Sequence, residues 1–165
     1  MSGLEIGSRN TILSLDLLDY LRTRGKGVTC IHNAELDDAE ISWIALKVSA
    51  RDIIWTYHMI IPYPTTVQFS CGGSYTGGSA LSFNNKVLCN PSTLGLTGVF
   101  DPTVTDEGSV YDSTKYGAAI NRLNLAGASF GAGWFQLEPN STFMQKVTSH
   151  ADSNNVVTRF TFIEV

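Results

Sequence analysis

Charge is scarce in this sequence. Charged residues make up 16% of the chain, against about a quarter in an ordinary soluble domain. The 11 basic and 15 acidic residues leave a net charge of −4. No run of Lys and Arg forms a basic stripe, so nucleic acid is not an expected partner. A surface this low in charge points either to coverage by a partner or to a Thr- and Asn-rich exterior, and both readings stay open. Long apolar runs are missing too. None approaches the ~20 residues of a membrane-spanning helix, and residues 1–5 lack the basic-then-apolar order of a secretion leader. Neither membrane insertion nor export is expected. The 3 cysteines, Cys30, Cys71 and Cys89, are odd in number and far apart, which argues against a disulfide framework or a zinc site. They read as small buried hydrophobes with free thiols, in a protein made in a reducing cytoplasm. A Cys71–Cys89 bridge is the alternative.

Recognisable chemistry is equally thin. There is no Walker A loop and no dinucleotide fingerprint. His32, His58 and His150 stand alone, without metal-ligand spacing, and His58 reads as a satisfied core histidine. Glu35, Asp37, Asp38 and Glu40 crowd four carboxylates into a short stretch, but the central Gly and the spacing of an EF-hand loop are absent. A solvated acidic loop is the better reading. Residues 127–131 spell G-x-S-x-G around Ser129, yet no helix-forming sequence follows, and His150 and Asp152 come in the wrong order for that fold. Asn140-Ser141-Thr142 fits a glycosylation acceptor and reads as a turn. No enzyme, cofactor or metal is expected.

What is present is period-two alternation. Residues 42–48 set Ile44, Leu46 and Val48 inward, with Trp43 and Lys47 outward. Residues 53–61 place Ile53, Trp55, Tyr57, Met59 and Ile61 on one face. Their other face, with Ile54 and Ile60, is also apolar, so both sides read as covered. Residues 65–71 point Val67, Phe69 and Cys71 inward. Residues 142–149 alternate around Phe143 and Val147 after a Pro-Asn turn. Residues 156–165 put Phe160 and Phe162 on one face and Arg159 and Thr161 on the other. Residues 80–83 and 86–89 read as a hairpin turning at Asn84-Asn85. Residues 104–133, with five glycines and little periodicity, read either as a long exposed loop or as a place where the strand pattern fails.

The N-terminal part differs. Residues 1–10 are polar and glycine-containing. Residues 11–22 set Leu13, Leu17, Leu18 and Leu21 at helical spacing, after a capping Asn10 and before Gly25. A strand reading of the same run stays open, because Leu13, Leu15 and Leu17 alternate with Ser14 and Asp16. A helix this short needs something to pack on, either its own sheet or a partner. Residues 27–32 form a short strand. The division is an arm and lead-in over 1–41 and a domain over 42–165. The chain, 165 residues long, is sized for one domain. About eight short strands with turns between them predict an all-β fold: an antiparallel sandwich, most simply a jelly roll, with one short helix in the arm.

Two segments, Val99-Phe100-Asp101-Pro102-Thr103-Val104-Thr105-Asp106-Glu107-Gly108 and Trp134-Phe135-Gln136-Leu137-Glu138-Pro139-Asn140-Ser141-Thr142, together with the closing strand Arg159-Phe160-Thr161-Phe162-Ile163-Glu164, resemble small virion-associated β-proteins of tailed bacteriophages. The resemblance lies in a Pro-Asn turn feeding a strand and in an aromatic last strand, and it covers residues 42–165. It implies a jelly-roll decoration or head-fibre-like protein on the outer surface of the virion. The major capsid protein would be its partner, and a homotrimer its expected form, since capsids repeat one site symmetrically. Candidate interface residues are Leu13, Leu17, Leu18, Leu21, Trp43 and Trp55, with Tyr57 and Trp134 in reserve. The rival reading is a carbohydrate- or receptor-binding jelly roll that uses Tyr63, Tyr75, Tyr111 and Tyr116 in predicted loops.

Overall fold

A computed structural model describes residues 27–49, 51–85, 94–117, 128–131 and 135–164, with backbone alone at 128–131 and at 135. The described chain is all-β and contains no helix. Its strands are β1 (Gly27–Leu36), β2 (Ile41–Val48), β3 (Ile53–Ile61), β4 (Thr65–Cys71), β5 (Ser74–Thr76), β6 (Ser79–Ala80), β7 (Asn84–Asn85), β8 (Leu96–Phe100), β9 (Thr103–Asp106), β10 (Ser109–Tyr116), β11 (Ala128–Gly131), β12 (Phe135–Leu137), β13 (Thr142–Ser149) and β14 (Asn154–Glu164). The arm helix expected over 11–22, with Leu13, Leu17, Leu18 and Leu21, lies outside the described residues, as do Cys89 and Trp134.

Two six-stranded antiparallel sheets form a sandwich. Sheet A runs β11–β3–β14–β1–β7, with β12 also on β3, and sheet B runs β10–β4–β13–β2–β8–β6. The pairing is nested. β1 pairs with β14, β2 with β13, β3 with β11 and β12, and β4 with β10. The folded-over hairpin is then closed by β14 on β3 and β13 on β4. β1 therefore belongs to the sandwich along all of Gly27–Leu36, and the sheet domain begins before residue 42.

Most of the alternation read from the sequence is observed, with Cys71 and Met144 as exceptions. Ile53, Trp55, Tyr57, Met59 and Ile61 are buried, and so are Ile44, Leu46, Val48, Val67, Phe69, Phe143, Val147, Phe160 and Phe162. Trp55 sits where the sheets meet. Its ring lies 4.6 Å from Phe143 and 5.6 Å from Phe69 in sheet B, and 5.8 Å from Phe160 on the neighbouring strand of its own sheet. At one end of the sandwich Asn154 is fully buried and donates through Nδ2 to Thr65 Oγ1 at 2.8 Å and to Ser149 Oγ at 3.0 Å. At the other end Arg51 pairs with the buried Glu164, whose second oxygen accepts from Gly95 N–H at 3.3 Å. These bonds satisfy polar groups that burial would otherwise leave costly.

Of the two readings of residues 104–133, the failure of the strand pattern is the one observed, since they hold most of β9 and all of β10 and β11. β10 lacks alternation because it is an edge strand whose residues are exposed or half-buried throughout. Two expectations are corrected. Asn84-Asn85 is not a turn but a short edge strand on β1. Cys71, read as buried, is exposed, because it ends β4 beside the turn at Gly72, while Cys30 is fully buried. Both are free thiols. β5 and β9 form a separate two-stranded flap. Gly73, Tyr75 and Glu107 bring this flap and its flanks against Met144, Lys47 and Lys146 of sheet B.

Phe160→Ala should cost roughly 3–5 kcal/mol, the range for emptying a phenylalanine site in a core. Urea denaturation measures it, and a loss below about 1 kcal/mol would contradict the packing described.

Candidate functional site

The most developed polar feature is a groove of about 440 Å³ at one margin of the sandwich. β1 contributes His32 through Leu36 to its lining, the start of β2 contributes Ile41 and Ser42, and Glu40 precedes them. The end of β8 contributes Phe100, and the following turn contributes Asp101. Asp101 has a φ of 50°. Asp is among the few non-glycine residues that tolerate this region, and its N–H donates to Trp43 O at 2.8 Å.

A short chain of hydrogen bonds runs through the groove. The buried Ser42 donates Oγ–H to Asp101 Oδ1 at 3.1 Å, and His32 Nε2 lies 3.3 Å from Ser42 Oγ. With the serine proton committed to Asp101, the Nε2 proton of His32 fills the second contact. The imidazole also packs on Phe100, ring centres 5.0 Å apart. Burial pushes the His32 pKa below its ordinary value, and the nearby Asp101 carboxylate works against that shift.

Histidine, serine and aspartate here do not make a nucleophilic triad. That arrangement needs serine to give its proton to the imidazole and the carboxylate to hold the far ring nitrogen. Here serine sits between the other two and donates to the carboxylate. The chain of bonds positions Asp101 and His32 against each other. Ser129 lies within β11, paired opposite Ile60, rather than at a strand-to-helix turn. Among the described residues no His, Cys, Asp and Glu cluster suits a metal ion. Glu35, Asp37, Asp38 and Glu40 are all exposed, as a solvated loop requires. Asp37 and Asp38 tie that loop to the β13–β14 connection, through Ser153 N–H and Asp152 Oδ1 respectively.

The residues expected at an interface are dispersed. Trp55 is 1% exposed at the centre of the core, so it is not available to a partner. Tyr57, held in reserve, is buried as well. Trp43 is half-buried on the outer side of sheet B, with Lys146 Nζ 5.1 Å from its ring centre and Lys146 paired to Glu107 at 2.8 Å. His58, read as a core histidine, is exposed, since it alternates outward between Tyr57 and Met59. Tyr63 lies exposed in the β3–β4 turn, whereas Tyr75, Tyr111 and Tyr116 lie on strands rather than in loops. The apolar outer face read from residues 53–61 leaves Ile60 half in solvent, and sequence reasoning missed Ile31 beyond it. On the outer face of sheet A, Ile31 and Ile60 are 49% and 44% exposed. They flank Val157 and Arg159 of β14, which pair with Ile60 and Ile31 respectively.

Comparison with family models, with curated proteins and with solved structures finds no match.

Two measurements follow from this chemistry. Because folding lowers the His32 pKa, the unfolded chain takes up the proton first as pH falls. The stability this contributes is full above the ordinary imidazole value of 6.5 and is lost as pH drops through the folded value. Urea midpoints should fall from about pH 7.5 to about pH 5, and less so in His32→Gln; identical profiles would contradict the assignment. Burial also raises the Cys30 pKa to about 11. Iodoacetamide should therefore label Cys71 in the native protein much faster than Cys30, and equal rates would contradict the burial described.

Proposed function

We propose that this chain is a non-enzymatic structural protein of a virion surface, a capsid decoration protein of a tailed phage, built on a jelly roll. The nested strand pairing supports the jelly-roll reading, because eight strands paired first-with-last and folded over once have that order. The observation that carries the functional reading is the outer face of sheet A. There the half-exposed Ile31 and Ile60 stand on either side of β14, on one outer face. Apolar side chains grouped on one face suit a protein that adheres to a repeated surface. The groove, whose serine gives its proton to Asp101 rather than to His32, supports a role without catalysis. In this reading the partner is the major capsid protein, the face of sheet A contributes to the contact, and the protein acts as a trimer on a symmetric site. It is made in the host cytoplasm and ends on the particle.

A second reading has its own observation. Trp43 lies in a row with Lys146 and Gln68 across the outer side of sheet B, and Tyr63 is exposed at 50%. Aromatic rings flanked by polar side chains suit a sugar, so a carbohydrate- or receptor-binding module is the alternative.

Ile60→Lys combined with Ile31→Lys should leave a folded protein, within about 1 kcal/mol per site because both side chains are half in solvent. Binding to purified particles should be lost, as measured by co-sedimentation. Undiminished binding would remove this face from the contact. Binding on a glycan array that Trp43→Ala abolishes would favour the sugar reading instead.

A further inference from the structure

Among the described residues β1 is paired along its whole length on one edge and only at its start on the other. Against β14 it pairs along Gly27–Leu36, but on the other edge its described pairing stops after Val28 with Asn85 and Thr29 with Asn84. Continued in register, residues 81–83 would lie beside Cys30 to His32. They do not follow that path. Leu81 N–H donates to Gly98 O in sheet B at 2.9 Å, and Ser79 and Ala80 pair with Phe100 and Val99 of β8. The chain crosses from one sheet to the other there. Among the described residues no strand lies on this edge from Cys30 to Leu36.

A strand turns the N–H and C=O of alternate residues to each edge, so about half of these seven residues offer theirs outward. Such a row is a template for one more strand unless a bulge, proline or lysine blunts it. The segment, Cys-Ile-His-Asn-Ala-Glu-Leu, contains no proline or lysine, and its register with β14 is unbroken. The groove containing His32, Ser42 and Asp101 opens along the same edge, since His32 through Leu36 line it. Its charged lining is of one sign. Glu35, Glu40 and Asp101 contribute carboxylates, and no Lys or Arg lines it. Phe100 and Ile41 give it an apolar wall suited to the stem of a long side chain.

We propose that the edge of β1 from Cys30 to Leu36, unpaired among the described residues, receives an extended segment of a partner protein as an added strand, with a lysine or arginine side chain of that segment entering the groove beside Asp101, Glu40 and Glu35. Backbone bonds along β1 supply the affinity, and the acidic groove supplies the selection. Charge complementarity identifies the occupant. A second copy of this chain fits less well through its own edge strand β10, which carries Asp112 as well as Lys115 and whose ladder is broken between Val110 and Asp112. This goes beyond the surface role proposed above and does not rest on it.

The test is a titration of the isotope-labelled full chain with the peptide acetyl-Thr-Val-Lys-Val-Thr-amide, followed by amide NMR shifts. Shifts should gather on residues 31–36, Ser42, Phe100 and Asp101. Replacing the peptide lysine by norleucine should weaken binding about tenfold, and methylating the peptide backbone nitrogens should abolish it. Asp101→Asn and Glu40→Gln, each giving an otherwise unchanged spectrum, should weaken the lysine peptide to a similar degree. No shifts at several millimolar peptide, shifts gathered on β10, or equal binding of the norleucine peptide would overturn the proposal. So would shifts along β1 on diluting the chain without peptide, because a second copy would then occupy the edge.

Discussion

The two sheets depend on Trp55. It is the largest side chain in the interior, it is 1% exposed, and its ring touches Phe143 and Phe69 across the sandwich and Phe160 beside it. Aromatic contacts of this kind add to the area they bury because edges and faces attract. Phe160 stacks in turn on Phe162, which meets Phe83 on the segment that crosses between sheets. The register follows from this packing. β14 is set against β3 so that Phe162 lies opposite Trp55, and against β1 so that Phe160 lies opposite Cys30. A slip of one residue would turn every one of these rings outward. Ends that cannot be sealed by apolar packing are sealed by polar bonds, Asn154 with Thr65 and Ser149 at one end and Glu164 with Arg51 at the other.

Where a strand buries one face, its sequence announces it. Residues 53–61 and 154–162 alternate because their inward residues fill the core and their outward ones do not. The same rule explains the failures. β10 half-buries only Asp112, Thr114 and Tyr116, two of them polar, so its Ser-Val-Tyr-Asp-Ser-Thr-Lys-Tyr carries no apolar period and reads as loop. Asn84-Asn85 has turn chemistry and pairs with β1 for two residues only, too few to show a pattern. Trp55 was legible as inward, since it alternates with Tyr57 and Met59, and its aromatic character alone suggested an interface. His58 was legible as outward by the same alternation. The candidate site was not legible. His32 and Ser42 are 10 residues apart and Ser42 and Asp101 are 59 apart, so no motif spacing joins them. Only the crossing of β1, β2 and the β8–β9 turn does.

The margin of sheet A that carries β1 combines features that are separate in sequence: a strand edge unpaired among the described residues, an acidic groove and, on the adjoining outer face, the exposed Ile31. A rigid sandwich holding such a margin is suited to binding another protein by contact alone. The turn at Asp101 and the bond from Ser42 hold one wall of the groove in place. Gly108, with φ of 71° and no room for a Cβ beside the Cys71 carbonyl, lets the flap return to the sheet at β10.

The claim most central to this account is that β1, bound into the sandwich along β14, has from Cys30 to Leu36 a second edge that no described strand pairs with. Amide hydrogen exchange read residue by residue tests it directly. From Cys30 to Leu36 protection should alternate, slow at amides facing β14 and fast at those facing outward, while β14 itself is protected on both sides. Uniform protection along β1 would mean that its second edge is covered, and uniformly fast exchange would mean that β1 is not part of the sheet; either result would contradict the account.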